Sequence, residues 1–166
     1  AISPDNGRIV FTSDRGAFNY NLWILPLRDG KPSDPPYRLT NPPGIGTHAA
    51  FSADGNWIVY YRVIGETRHV WIVPARGGQP VQFTDGESRD YHPAWSPDGA
   101  NIAYCAEDQD RVRLMVAPVK DGRRAGPARP VTGPDLFAVS PAWSRDGRTL
   151  AFCGGKDNAG EVWTVP

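Results

Sequence analysis

Apolar residues recur at every second position in four short runs of the chain: Ile9 and Phe11, Ile58 and Tyr60, Ile102 and Tyr104, Leu150 and Phe152. That period, filled largely with β-branched and aromatic side chains, predicts half-buried strands rather than helices. Each run follows a variant of Ser-Pro-Asp-Gly, beginning at Ser3, Ser52, Ser96 and Ser144. Proline suits the fixed φ of a turn's second position and glycine a positive φ, so each string predicts a hairpin turn. A second apolar run comes next in every case: "LWILP" at Leu22, "VWIVP" at Val70, "LMVAP" at Leu114 and "VWTVP" at Val162. Two further anchors occur three times each. "RLT" at Arg38, "QFT" at Gln82 and "PVT" at Pro130 close the first three units, and "HAAF" at His48, "HPAW" at His92 and "SPAW" at Ser140 precede the turns of the last three.

The chain is therefore a tandem repeat with a period of about 45 residues and four short strands per unit, the signature of a β-propeller blade. The units run over about 1–40, 48–84, 92–132 and 140–166, in one all-β propeller domain spanning 1–166. Almost no helix is expected, because 18 glycines and 17 prolines leave no long helical window. Trp23, Trp71, Met115 and Trp163 share one repeat position and are predicted to pack between blades. Unit one opens with only a stub of its inner strand, and unit four stops before a Leu-Thr strand, so the first and last blades are incomplete. Unpaired edges invite pairing. The expected arrangement is a four-bladed ring closing alone; a ring built from two copies and a segment of a larger propeller are the alternatives.

Strings such as "HPAWSPDGANIAY", "FTSDRGAFNYNLWILP" and "RLTNPPG" resemble the WD40-like, or PD40, repeats of TolB-type propellers, and the resemblance covers the whole chain. It implies several activities, because the family includes a periplasmic protein of the Tol–Pal envelope system, the propeller domains of prolyl-oligopeptidase-like peptidases, sensory propellers and oligogalacturonate lyases. Fold alone does not select among them. The implied location is the periplasm of a bacterium or another exported compartment, with the cytoplasm as the alternative.

Charge removes some partners. With 18 basic and 18 acidic residues and no run of about five like charges, the chain carries no electrostatic footprint for nucleic acid or anionic membrane, and no apolar stretch approaches the ~20 residues of a membrane span. The loops that surround a propeller's channel mouth are where ligands are expected: Asn41 to His48, Asp85 to His92, Gly133 to Ser140, Arg15 to Asn19, Gly65 to His69, Asp108 to Arg111 and Lys156 to Asn158. His48, Arg89, Tyr91, His92 and Phe137 are the candidate contacts, since aromatic and Arg side chains anchor protein interfaces. His48 and His92 fall just before the inner strands of adjacent units, where imidazoles could hold a metal of the kind the lyase resemblance implies. Two ligands are too few, and Ser140 takes the third place, so no metal and no cofactor are expected.

The remaining chemistry reads as structural. Asp108 and Asp110 have incomplete spacing for calcium. Asp5, Asp54, Asp98 and Asp146 recur inside the turn motif, where side-chain to backbone hydrogen bonds explain them. Cys105 and Cys153 occupy one repeat position in adjacent units, roughly 10 Å apart against the ~7 Å limit for a disulfide, and are expected as free, largely buried thiols. His69 is expected at a loop edge. No G-x-S-x-G, H-E-x-x-H, C-x-x-C or P-loop string occurs. The expected function is a non-catalytic module that binds a protein or peptide at its channel mouth, with homodimer formation open. The alternatives are a metal-dependent sugar lyase-like enzyme, an accessory propeller of a prolyl-oligopeptidase-like peptidase, and a self-assembling propeller fragment.

Overall fold

The computed structural model describes residues 1–15, 20–41, 43–109, 111–133, 136–155 and 160–166, and these residues form strands, turns and bends without helix. No helix long and apolar enough to cross a membrane occurs among them. Blade 1 consists of β1 (Arg8–Ser13), β2 (Asn21–Arg28), β3 (Lys31–Pro32) and β4 (Tyr37–Arg38), with β3 and β4 both paired to β2. A bridge from Ile2 to Ile9 is the trace of its inner strand. Blade 2 is the sheet β5 (Ile45–Phe51), β6 (Trp57–Ile64), β7 (Thr67–Pro74) and β8 (Val81–Gln82). Blade 3 contains β9 (Arg89–Trp95), β10 (Asn101–Asp108), β11 (Arg111–Lys120), β12 (Arg123–Arg124) and β13 (Arg129–Pro130), and blade 4 contains β14 (Phe137–Trp143), β15 (Leu150–Gly155) and β16 (Glu161–Val165). All pairings are antiparallel.

One turn is built four times. Ser96 Oγ donates to Asp98 Oδ1 at 2.5 Å and accepts from the Asn101 amide at 2.9 Å, while Asp98 Oδ1 also accepts from the Ala100 amide at 3.0 Å. Ser3 with Asp5, Ser52 with Asp54 and Ser144 with Asp146 repeat the pattern. Gly55, Gly99 and Gly147 take positive φ at the fourth turn position, and in blade 1 Asn6 does the same at φ 56°, a conformation that asparagine tolerates better than most residues. The serine hydroxyls hold these carboxyls below their ordinary value. Groups with a depressed folded pKa contribute stability that is present above the unfolded value and lost as pH falls through the folded one. The melting temperature should therefore drop as pH falls below about 4, and a Ser52→Ala/Ser96→Ala variant should show a shallower drop in thermal melts; an unchanged slope would remove the turns from acid stability.

A second device ties each outer strand to its blade. Thr40, Thr84 and Thr132 accept through Oγ1 from the amides of Leu22, Val70 and Leu114, each at 3.0 Å.

Alternation along the strands assigns each face to one neighbour. Val10, Leu22 and Ile24 of blade 1 pack with Ile58, Tyr60 and Val73 of blade 2. Val59, Val70 and Ile72 on the other face of blade 2 pack with Ile102, Tyr104 and Ala117 of blade 3. Blade 3 meets blade 4 through Tyr91, Cys105, Val112 and Leu114 against Ala138 and Phe152. Trp71 and Met115 join these seams as predicted.

The ends differ. Among the described residues blade 4 has no extended packing on blade 1, so the four blades form an open arc, and the expectation of a ring closing alone is corrected. Val162 is 79% exposed and Trp163 37%, whereas Leu22, Val70 and Leu114, at the position of Val162, are fully buried. Both cysteines are free; Cys105 is buried with its thiol pushed up to about 12 by burial, while Cys153 lies on the uncovered side of blade 4 and is half-buried.

Candidate functional site

The inner strands begin three residues earlier than the repeat anchors suggest. Ile45-Gly46-Thr47, Arg89-Asp90-Tyr91 and Phe137-Ala138-Val139 all pair with the next strand, so His48, His92 and Ser140 lie inside strands rather than ahead of them. Each occupies a bulge. The register slips between Thr47 and Ala50, between Tyr91 and Ala94, and between Val139 and Ala142, leaving two residues opposite Tyr60, Tyr104 and Phe152 respectively. The bulged residues take positive φ of 53°, 50° and 55°. Such backbone costs about 1 kcal/mol or more for a residue with a Cβ, and bulges re-aim side chains at functional rims. Pro93 and Pro141 follow two of the three bulged residues; a strand position left without a ladder partner is one where a missing N–H is tolerated.

The three bulges meet at the mouth of the arc in an open depression of about 260 Å³, lined by His48, Ala49, His92, Pro93, Ser140 and Pro141. The rings of His48 and His92 stand 4.5 Å apart, His48 stacks on Tyr61 at 5.2 Å, and Tyr91 meets His92 edge-on at 5.0 Å. Thr47 Oγ1 is 3.3 Å from His48 Nδ1, and Ser140 Oγ is 3.3 Å from His92 Nδ1. The guanidinium of Arg68 lies 5.7 Å over the Tyr91 ring, a cation–π distance. Burial, then the neighbouring His48 and Arg68 charges, hold His92 below the ordinary imidazole value. Burial raises Tyr61 and Tyr91, and the charges of Cys105 and Glu107 raise Tyr91 further. The mouth is thus an aromatic surface bordered by one guanidinium, with His92 biased toward its neutral form.

His48, Tyr91 and His92 come together ring against ring. Arg89 and Phe137 do not join the depression. Arg89 sits at the start of β9 and pairs with Glu107 across the sheet at 3.4 Å, and Phe137 is half-buried against the seam between blades 3 and 4. Tyr61 is a contributor that sequence reasoning missed, while Arg68 and Ser140 belong to the expected ligand loops without having been singled out as contacts. His69, expected at a loop edge, lies in β7 at 3.7 Å from the buried Asp90 carboxylate, an ion-pair distance rather than a hydrogen bond. The loop positions 16–19, 42, 110, 134–135 and 156–159, including Asp110, lie outside the described residues.

Among the described residues no hydroxyl–imidazole–carboxylate relay is assembled at the mouth. A nucleophile–base–carboxylate relay needs the carboxylate on the imidazole that takes the hydroxyl proton; here Asp90 pairs with His69, and Ser88 Oγ donates to Asp90 itself at 2.9 Å. Among the described residues no three His, Cys, Asp or Glu side chains stand close enough to share a metal ion.

The antiparallel sheets of three to five strands, packed blade on blade, define a β-propeller fold. A TolB-type protein from Agrobacterium tumefaciens superposes with a TM-score of 0.80 at 23% identity, over 98% of this chain and 55% of that one. A chain of the nidogen/laminin complex superposes with a TM-score of 0.72 at 14% identity, over 95% of this chain and 56% of that one. In sequence, an uncharacterised peptidase of Bacillus subtilis, YuxL, is 32% identical over 77 residues, which is 42% of this chain and 12% of that protein. The chain thus spans little more than half the length of the two solved relatives and a small part of the peptidase. No family model matches it.

Proposed function

We propose that this chain is a non-catalytic TolB-like propeller module that binds a protein or peptide partner through its channel mouth. The observation that carries this reading is the convergence of three bulged inner strands on one depression, with His48, Tyr61, Tyr91 and His92 packed ring against ring. Strained backbone in three successive blades is the kind of feature that clusters at ligand sites. Rigid aromatic rings beside a guanidinium are characteristic anchors of peptide interfaces. Arg89 and Phe137 flank the mouth on β9 and β14, and a peptide crossing it would meet them at the rim. The proposed location follows the TolB likeness: periplasmic or exported.

Panning a random displayed peptide library on the immobilised protein should enrich sequences that bind it, and Tyr61→Ala and His92→Ala should each weaken the selected peptides by about tenfold or more. Peptides whose affinity is untouched by both substitutions would place the binding surface elsewhere.

The likeness to a peptidase over 77 residues favours a second reading, an accessory propeller beside a peptidase domain on a longer polypeptide. Reading the gene on either side of this segment decides it: an adjoining serine-peptidase reading frame supports it, and a stop on both sides removes it.

A further inference from the structure

The channel mouth holds an imbalance of charge. Its depression is lined by His48, His92 and Ser140 together with Ala49, Pro93 and Pro141, and by no carboxylate. Arg68, on β7, places its guanidinium over the Tyr91 ring at the border. Among the described residues no acid lies within ion-pair distance of Arg68. The two acids next to Tyr91 in the blade 3 sheet are engaged elsewhere: Glu107 pairs with Arg89 at 3.4 Å, and the buried Asp90 pairs with His69 at 3.7 Å. His48, His92 and Arg68 are left as three bases around one open space with no acid among them.

The imidazoles add a second observation. The rings of His48 and His92 stand 4.5 Å apart, so protons on both would repel. Burial, with the charges of His48 and Arg68, already biases His92 toward its neutral form. A carboxylate brought into the depression reverses this balance, because an opposite charge at close range favours the protonated ring. The other groups that face the pair do not titrate near neutrality. Burial raises Tyr61 on β6, Tyr91 on β9 and Cys105 on β10, and Arg68 is an arginine, which does not deprotonate. Thr47 and Ser140 contribute hydroxyls to His48 and His92. The third imidazole, His69, is turned to Asp90. Proton uptake at the mouth therefore belongs to His48 and His92.

The lining also decides which carboxylate fits. Capture of a chain terminus relies on a nest of backbone N–H groups. Here Pro93 and Pro141 remove two N–H groups from the lining, and the donors that remain are side chains raised on the bulges of β5, β9 and β14. The depression crosses these three strands as an open trough. That shape suits a side chain of a peptide passing over it. Imidazolium and guanidinium donors form charge-assisted hydrogen bonds with such a carboxylate.

We propose that the mouth selects peptides by an aspartate or glutamate side chain, whose carboxylate accepts hydrogen bonds from the His48 and His92 rings while Arg68 adds charge from the border, and that binding takes up a proton on this imidazole pair. The proposal rests on the mouth being the ligand surface and supplies the chemistry of the partner. Its sign follows from linkage: the complex holds more protons than the free partners, so affinity rises as pH falls from about 8 to about 6. One proton allows at most about a tenfold change per pH unit.

Titration of the whole chain, followed by NMR through the histidine and tyrosine ring signals, tests this with three probes. They are acetyl-Ala-Glu-Ala amide, its Gln counterpart, and the Gln peptide with a free C-terminus. The Glu peptide should bind with a dissociation constant on the order of 1 mM at about pH 6 and about tenfold more weakly at about pH 8. The Gln amide should bind about tenfold more weakly than the Glu peptide at the lower pH, and added salt should weaken the Glu peptide. Arg68→Gln should weaken it about threefold or more. Asparagine tolerates positive φ, so His48→Asn/His92→Asn should keep the wild-type melting temperature, and its affinity for the Glu peptide should change less than about twofold between the two pH values. Equal affinity for the Glu and Gln amides, equal affinity of the wild type at both pH values, a pH dependence kept by the double variant, or tighter binding of the free C-terminus would each overturn the proposal. Library peptides that depend on Tyr61 and His92 but carry no acid would remove this inference and leave the mouth as the ligand surface. Ring signals of Tyr61, His48 and His92 that stay unmoved by every probe and by the library peptides would remove both.

Discussion

Ile58→Ala and Ile102→Ala should each destabilise the protein by about 3 kcal/mol, within the ~2–5 kcal/mol range of buried Ile truncations, while Ile9→Ala should cost about 1 kcal/mol. The three isoleucines hold one position in the repeat: they pair with Val73, Ala117 and Leu25, and all face the side of their blade that looks toward the preceding one. Ile58 and Ile102 are fully buried because blades 1 and 2 cover them. Ile9 is half-buried, since blade 1 has no blade before it in the arc, and its deletion removes less area and leaves no closed cavity. Denaturant unfolding of the three variants measures the difference. An Ile9→Ala loss equal to the other two would mean that the leading face of blade 1 is covered in solution, either by blade 4 or by a second copy, and the open arc would be wrong for the free protein. The experiment reads ring closure through side chains that are chemically the same, so propensity and transfer differences cancel.

That same repeat logic explains what was legible in the sequence. The Ser-X-Asp-Gly turns, the Trp-bearing strands and the Leu-Thr closing strands are specified locally: a hydroxyl, a carboxylate and a positive-φ residue within five positions fix each turn, and alternation fixes which face is buried. Asn6 in place of glycine did not obscure the first turn, because asparagine also takes that conformation. Closure was not legible, since it depends on where the first and last faces lie in space rather than on any residue's local preference. The bulges were hidden for a related reason. Gly46 and Asp90 read as loop residues, so the inner strands were expected to start at the histidines. The pairing of Gly46 with Arg62 and Asp90 with Ala106 continues past the bulge and puts His48 and His92 in mid-strand. Tyr61 escaped notice because its neighbour Tyr60 carries the alternating core signal, and the adjacent tyrosine has the opposite facing. The His69–Asp90 pair, joining β7 to β9, arises only once two blades are stacked.

Thr84→Val should lower stability by about 2–3 kcal/mol, clearly more than Thr132→Val at about 1–2 kcal/mol, although both remove one hydroxyl from one repeat position. In each case the substitution strands a buried amide, that of Val70 or Leu114, which accepts no substitute partner from an apolar methyl. At Thr84 there is a further loss. Its hydroxyl also stabilises the charged form of Asp90, alongside Ser88 and His69, against the burial that pushes this carboxyl up. Removing that donor leaves a buried carboxylate more poorly solvated, so the Asp90 pKa should rise further in the variant. An acid with a raised folded pKa weakens the native state above that value and regains stability as pH falls toward the unfolded value. The gap between Thr84→Val and Thr132→Val should therefore be largest near neutral pH and narrow on mild acidification, a dependence followed by urea titrations of both variants at a series of pH values. A pH-independent gap would assign the difference to packing around Phe83 and Thr84, and Asp90 would then be held by Ser88 and His69 without help from the closing strand.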